Sequence, residues 1–209
     1  MNLLKGLKTE QEKFWAGKFG DDYVERGNRS HSLSNNISLF SKILSRTKSI
    51  ESVIEFGANI GLNLIAIKQL LHNVELSAIE INKKSVQELE LLEGLKVYHQ
   101  SILDFVVDYQ RDFVFTRGVL IHINPDKLPL VYDLLYKTSK RYICLAEYYY
   151  PKPVKVDYRG HKNKLFKRDF AGEMLDRFKD LKLLDYGFIY HRDNNFPQDD
   201  INWFLLEKV

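Results

Sequence analysis

Ser52-Val-Ile-Glu-Phe-Gly-Ala-Asn-Ile-Gly61 runs from a short apolar segment through an acidic residue into a Gly-x-x-x-Gly turn, and an amphipathic segment follows. Val53, Ile54 and Phe56 read as a buried strand, Gly57 gives the turn a backbone free of Cβ sterics, and Leu62, Ile65 and Leu70 begin a helical period. The backbone N–H groups at such a helix start attract a carboxylate or a phosphate. About twenty residues on, Leu76-Ser-Ala-Ile-Glu80 reads as a second strand ending in an acid, where a nucleotide-binding fold needs an acceptor for ribose hydroxyls. Together the two stretches predict a site for an adenosine-bearing cofactor.

The alternation continues outward. Leu33, Ile37, Phe40 and Leu44 recur at helical spacing before the first strand. After Glu80, Asn82 is placed to cap a helix carrying Val86 and Leu89, and Leu95–His99 and Asp112–Thr116 are further strands. Pro125-Asp126 starts a helix with Leu128, Val131, Leu134 and Leu135, followed by a fifth strand at Tyr142–Ala146. Phe170, Met174, Leu175 and Phe178 share a helix face. The last two strands, Leu181 to Tyr190 and Ile201 to Glu207, have no helix between them, so they pair antiparallel and the final strand enters the sheet reversed. The expected architecture is α/β: a doubly wound, Rossmann-like sheet of about seven strands, the last antiparallel, with helices on both faces.

At 209 residues the chain is read as one domain, 1–209. Residues 1–30 form a candidate N-terminal lid, in which the aromatic segment Phe14 to Asn28 serves equally well as an inert cover. The 31 basic and 28 acidic residues leave a net charge of +3, too small to imply nucleic acid. A lone cysteine, Cys144, excludes a disulfide framework and a thiolate cluster and suits a reducing compartment, so the expected location is cytoplasmic. Lys5 and Gly6 break the start before an apolar signal segment forms, and no run approaches membrane-spanning length. His31, His72 and His99 show no ligand spacing, and no metal is expected.

A nicotinamide-binding Gly-x-Gly-x-x-Gly turn needs glycine at positions 59 and 62, where Asn59 and Leu62 stand. Tyr136-Lys-Thr-Ser-Lys140 matches a dehydrogenase Tyr-x-x-x-Lys pair but reads as a helix end with basic residues favourable to its dipole. Gly-x-x-x-x-Gly-Lys-Ser/Thr is absent. Glu55, Gly57 and Gly61, with Asn59 at a common middle glycine, resemble the Glu/Asp-x-Gly-x-x-x-Gly turn of class I S-adenosylmethionine-dependent methyltransferases. Glu80 and Ile81, Ser101 and Ile102, and Thr116 and Arg117 fall where cofactor contacts recur in that class. The resemblance implies S-adenosyl-L-methionine as cofactor, whose carboxylate, ribose and adenine suit a helix start, an acid and an apolar slot.

A narrower resemblance rests on Thr9–Tyr23, Gly118–Pro125, Tyr158-Arg-Gly-His161, Leu165–Met174 and Asp185–Asp193, which are similar to the pseudaminic acid biosynthesis-associated methylase family over nearly the whole chain. It implies methyl transfer in a pathway for a nine-carbon acidic sugar of surface glycans, with a nonulosonic (pseudaminic) acid, its sugar-nucleotide form or a precursor as acceptor.

Ligands of an open α/β sheet lie beyond the carboxyl ends of its strands, which turns Thr116 to Asn124, 147–169 and 191–200 toward a substrate. The middle segment is rich in tyrosine and in Lys and Arg, which suits an anionic sugar or sugar nucleotide and reads alternatively as a solvated basic loop. Tyr149, Tyr158, Arg159, His161, Arg168 and His191 are the substrate-binding candidates. His122 is the candidate base, needed only for a hydroxyl acceptor; it reads equally as a helix cap or a brace of the cofactor loop. Asn124-Pro125-Asp126-Lys127 lacks the Pro-Pro-aromatic continuation that stacks a flipped adenine, and Cys144 lacks the proline of cytosine C5 enzymes. A nucleic-acid or protein methyltransferase, or a non-catalytic cofactor-binding protein, is the alternative; turnover discriminates the last.

Overall fold

The computed structural model describes residues 6–25 and 29–209, and the side chains of 29–32 are outside the description. The Lys5 break in the expected start, the end of the expected lid at Asn28 and the His31 side chain therefore lie outside the described residues. In chain order the elements are α1 (Glu10–Ala16), α2 (Lys18–Glu25), α3 (Arg29–Leu44), β1 (Ser52–Phe56), α4 (Leu62–Leu70), β2 (Glu75–Glu80), α5 (Lys83–Leu89), β3 (Leu95–His99) and β4 (Arg111–Arg117). There follow α6 (Leu128–Thr138), β5 (Ser139–Glu147), β6 (Val154–Tyr158), β7 (His161–Lys167), α7 (Phe170–Arg177), β8 (Leu181–Ile189) and β9 (Ile201–Lys208).

Seven strands form one sheet in the order β3-β2-β1-β4-β5-β9-β8. Pairing is parallel from β3 to β5, and β9 runs antiparallel to both β5 and β8. The reversed last strand is thus present, inserted between β5 and the edge strand β8. The central strands carry apolar residues on both sides, as a sheet covered on both faces requires. Ile54, Phe56, Val114, Ile143, Leu145 and Leu206 pack against the α6 and α7 side. Val53, Phe113, Phe115, Cys144, Trp203 and Leu205 pack with Phe40, Ile43, Leu64 and Ile67 of α3 and α4.

Asn82 caps α5 as its position predicts, accepting from Ser85 N at 3.0 Å. Two local readings are corrected. The segment 147–169 is not all loop, because β6 and β7 form a separate antiparallel hairpin within it. Pro125 opens a 3₁₀ turn, Pro125–Lys127, and the α-helix begins at Leu128. The N-terminal segment contains two short helices; α1 starts at a capping box in which Thr9 and Glu12 satisfy each other's backbone N–H groups. Among the described residues no helix is long and apolar enough to cross a membrane.

Candidate functional site

The carboxyl ends of β1, β2, β3 and β4 open into a cavity of about 660 Å³. Its floor is the turn after β1. Gly57 has φ +80, and a Cβ there would meet the Val119 side chain at 2.7 Å, so this position excludes larger residues twice over. Asn59 has φ +48, in the left-handed region that asparagine tolerates better than most L residues. Its side chain accepts from Ser85 Oγ at 3.0 Å and its N–H donates to Glu80 Oε2 at 2.8 Å. The other oxygen of Glu80 accepts from the N–H groups of Ile81 and Asn82, at 2.8 and 2.7 Å. Burial pushes the Glu80 carboxyl up while these three donors pull it down. Gly61 stands at the start of α4 with φ +79, where a Cβ would meet Leu89 and Leu92 at 2.8 Å. It serves the close approach of α4 and α5 rather than the cavity wall.

Glu55 is fully buried behind the wall. Asn63 Nδ2 donates to its Oε1 at 2.6 Å, while Asn63 Oδ1 accepts from Arg117 at 2.8 Å. Arg117 also donates to Asn36 Oδ1 at 2.8 Å and to Gln198 Oε1, so one guanidinium ties α3, α4, the end of β4 and the β8–β9 loop together. Burial raises Glu55 to about 8, opposed by the Asn63 bond and the Arg117 charge. At neutral pH Glu55 is therefore protonated, and Arg117 faces the cavity with amide oxygens as its close partners. Asn36, Asn63 and Gln198 were not anticipated: their neutral amides gave no charge or spacing signal.

The roof comes from the N-terminus. Ser101, which caps the turn Ile102–Asp104, donates to Glu12 Oε1 at 2.6 Å, and Asn82 Nδ2 donates to the Trp15 carbonyl and to Asp21 Oδ1 at 3.2 and 2.9 Å. The Trp15 ring lies 4.7 Å from that of His122, and Tyr158 lies 4.7 Å away from it as well. His122 Nδ1 is hydrogen-bonded to the Lys164 carbonyl, which accepts only, so the proton sits on Nδ1 and Nε2 is left as an acceptor. Burial lowers the ring to about 4, so it is neutral at pH 7. Tyr158 and Arg159 reach the cavity from the β6–β7 turn, where Arg159 has φ +49 and Gly160 φ +81.

Of the sequence candidates, Gly57, Asn59, Glu80, Ile81, Ser101, Ile102, Arg117, His122, Tyr158 and Arg159 line this cavity. Glu55, Gly61 and Thr116 support it from behind. Thr116 is buried and donates to Glu147 Oε1 at 2.9 Å; the same carboxylate accepts from the N–H groups of Val119, Leu120 and Ile121 at 3.1, 3.0 and 3.3 Å. Glu147, held up at about 7 by burial, thus shapes the turn that carries His122. Four candidates stand away from the cavity. Tyr149 packs on Phe204, His161 on Phe14 and Phe19, Arg168 pairs with Glu173 at 2.6 Å, and His191 pairs with Asp200 at 2.9 Å.

The wall is chemically incomplete. Trp15 Nε1, Asn35 Oδ1, Gln11 Oε1 and Arg117 Nε are buried atoms of cavity-lining residues with no partner among the described residues. Such atoms carry a desolvation cost that a polar ligand would relieve. The volume falls within the usual range for a small-molecule site, about 300–1,000 Å³. A carboxylate at a strand end, a positive-φ turn, an apolar stretch at Ile81, Ile102 and Leu103, and a cation at Arg117 match the parts of a nucleoside carrying an amino-acid tail. Among the described residues no His, Cys, Asp and Glu cluster could hold a metal ion.

No family model matches the chain, and no curated protein matches its sequence. Solved structures resemble it in fold. Magnesium protoporphyrin IX methyltransferase (ChlM) from Synechocystis PCC 6803 with bound S-adenosylmethionine (SAM) superposes with a TM-score of 0.67 at 13% identity, covering 98% of this chain and 100% of that one. The plantazolicin methyltransferase BpumL, in complex with a pentazolic desmethylPZN analog and S-adenosylhomocysteine (SAH), gives 0.64 at 12% identity, covering 94% of each chain. The glycopeptide N-methyltransferase MtfA gives 0.60 at 13% identity, covering 83% of this chain and 95% of that one. At such identities the likeness is one of fold: the chain has the seven-stranded, Rossmann-like fold of these methyltransferases.

Proposed function

We propose that the chain is an S-adenosylmethionine-dependent methyltransferase whose acceptor is a nonulosonic (pseudaminic) acid, its sugar-nucleotide form or a precursor. The observation that carries this reading is the meeting, around one cavity, of Glu80, the Gly57–Asn59 turn and the Ser101 turn with His122, Tyr158 and Arg159. The first group suits the cofactor and the second an acceptor. The cofactor would supply an electrophilic methyl group on a sulfonium: an acceptor atom would attack that carbon in line as the C–S bond breaks and neutral S-adenosylhomocysteine leaves. Glu80 accepts from ribose hydroxyls; Arg117 and the α4 start hold the carboxylate; Ile81, Ile102 and Leu103 form the slot for adenine.

Arg159 supplies positive charge at the acceptor end and lies 5.7 Å from the Tyr158 ring. Guanidinium groups grip a carboxylate or phosphate bidentately, and Tyr158 offers a face to a sugar ring. His122 is neutral and accepts a hydroxyl proton at Nε2, but a base near 4 is weak. Positioning and exclusion of water by α1, α2 and the β6–β7 hairpin then carry most of the rate. Cys144, buried and alone, is compatible with a cytoplasmic reaction.

Calorimetry with S-adenosylmethionine tests the cofactor half. Glu80→Ala and Gly57→Val are expected to weaken binding by tenfold or more, on the order of 1.4 kcal/mol; wild-type affinity in Glu80→Ala would sink the assignment. Labelled cofactor offered with free and CMP-linked pseudaminic acids, their precursors, nucleic acid and a glycosylated protein tests the acceptor. Release of S-adenosylhomocysteine with the acidic sugars is expected. Transfer to nucleic acid alone would overturn the acceptor assignment.

A further inference from the structure

Asn35, on α3, lines the cavity and is 4% exposed. Its Nδ2 donates to the Pro197 carbonyl at 2.6 Å. A carbonyl only accepts, so the amide is held one way round and Oδ1 takes the other side. Gln198 Nε2 donates to the main-chain carbonyl of Asn35 at 2.7 Å, which ties the residue to the β8–β9 loop a second time. Oδ1 itself is buried and has no partner among the described residues. An acceptor fixed in this way carries a desolvation penalty until a donor reaches it.

The surroundings of Asn35 say which donor. Asn36, the next residue, accepts from Arg117 at 2.8 Å, and Gln198 bridges the pair, bonding Asn35 through Nε2 and accepting from Arg117 through Oε1. Asn35 thus belongs to the Arg117 end of the cavity, the end assigned to the cofactor's carboxylate. In an amino-acid tail the ammonium stands one carbon from that carboxylate. The other amide oxygens around Arg117 are already taken: those of Asn36, Asn63 and Gln198 all accept from the guanidinium. Glu55 Oε2 also lacks a partner, but Glu55 lies behind the wall and keeps its proton at neutral pH. Gln11 Oε1 is unpartnered on the roof, where its Nε2 donates to the Asn163 carbonyl. Asp199, which follows Gln198 and lines the cavity, adds negative charge that favours a cation.

We propose that Asn35 Oδ1 accepts a hydrogen bond from the α-ammonium of the S-adenosylmethionine tail, so that Asn35 and Arg117 between them read the tail's two charges. This rests on the cofactor reading above and extends it: α3 becomes part of the cofactor site, and the site selects for ligands that carry the amino group. Asn35 is a binding residue and takes no part in the bond changes of methyl transfer. A hydrogen bond to a charged group is worth more than one between neutral groups, so the selection is large enough to measure.

Calorimetry at neutral pH with three probes tests it: S-adenosylhomocysteine, its analogue without the α-amino group, and methylthioadenosine, which lacks the whole amino-acid tail. The wild type is expected to prefer S-adenosylhomocysteine to the deaminated analogue by about tenfold or more. In Asn35→Ala that preference is expected to shrink to about threefold or less, with methylthioadenosine bound as before. Asn35→Asp keeps an oxygen and adds a charge, and its preference is expected to exceed the wild type's. An Asn35 that only held the Pro197 loop would, on replacement, weaken both tailed ligands by the same factor. A wild-type preference in Asn35→Ala therefore overturns the proposal, as does a preference in Asn35→Asp no greater than the wild type's. A wild type that binds S-adenosylhomocysteine and the deaminated analogue alike overturns it while the cofactor reading stands; a wild type that binds none of the three removes both.

Discussion

Asn59 occupies the position where a glycine is common in this type of turn, and its φ of +48 shows what that position demands. Asparagine meets the demand, and its side chain is fixed by Ser85, so the departure from the glycine pattern keeps the turn. Glu55, two residues before Gly57, is a different case. Its acidity is legible in sequence as a motif feature, but its burial is not: the folded chain keeps its proton up to about pH 8, whereas an exposed carboxyl releases it near 4.5. Between those values the folded state binds more protons than the unfolded one, so raising the pH favours unfolding. Glu147 adds a slope of the same sign up to about pH 7. Glu55→Gln keeps an oxygen for Asn63 and removes the titration. Thermal melts between about pH 5 and 8 are expected to show wild-type stability falling by as much as ~1.4 kcal/mol per pH unit from this one group, and a flatter profile in Glu55→Gln. Identical profiles would show that Glu55 ionises inside the fold.

At the scale of elements, the sheet strands were readable because apolar runs and helical periods alternate along them, and the β6–β7 hairpin was not. Val154–Tyr158 has no buried residue and His161–Lys167 buries three in a row, Lys164, Leu165 and Phe166, so neither alternates, and their connecting pair, Arg159-Gly160, lacks the Asn-Gly or Asp-Gly signal of a two-residue hairpin. Helix α1 has a start signal in Thr9-x-x-Glu12, but Ser101, which holds Glu12 in place, lies eighty-nine residues away. The hairpin turn holds Arg159 at φ +49, a conformation that costs an L residue about 1–2 kcal/mol. An arginine held in that conformation beside the cavity makes its side chain a candidate for use there. Arg159→Gly should therefore stabilise the hairpin by about 1 kcal/mol while raising the acceptor KM several-fold and leaving cofactor affinity unchanged. Melting temperature and KM measured on the same preparation separate the two effects; a stabilised variant with wild-type KM would make the arginine a surface residue.

For the whole molecule, the order of the strands matters more than their number. The missing helix between Tyr190 and Ile201 was enough to predict a reversed last strand, because parallel neighbours need a crossover. Its two partners follow from long-range packing that no local pattern contains: β9 fills the gap between β5 and β8, pairing Tyr142 with Glu207 on one side and Ile189 with Ile201 on the other. Leu206 enters the core on the α6–α7 face, while Trp203 and Leu205 enter the core on the α3–α4 face. Truncating a single buried residue of this size costs about 2–5 kcal/mol, so losing all three approaches the entire ~5–15 kcal/mol of a typical domain. Deleting 201–209 also strips β5 and β8 of their shared neighbour. The truncated chain is expected to show no cooperative thermal transition and to lose its near-UV spectrum, whereas Leu205→Ala should stay folded with a loss of about 3 kcal/mol. A truncated chain that still melts cooperatively would mean that β1 to β5 with their helices form a stable unit, and that β9 only attaches β8 to it.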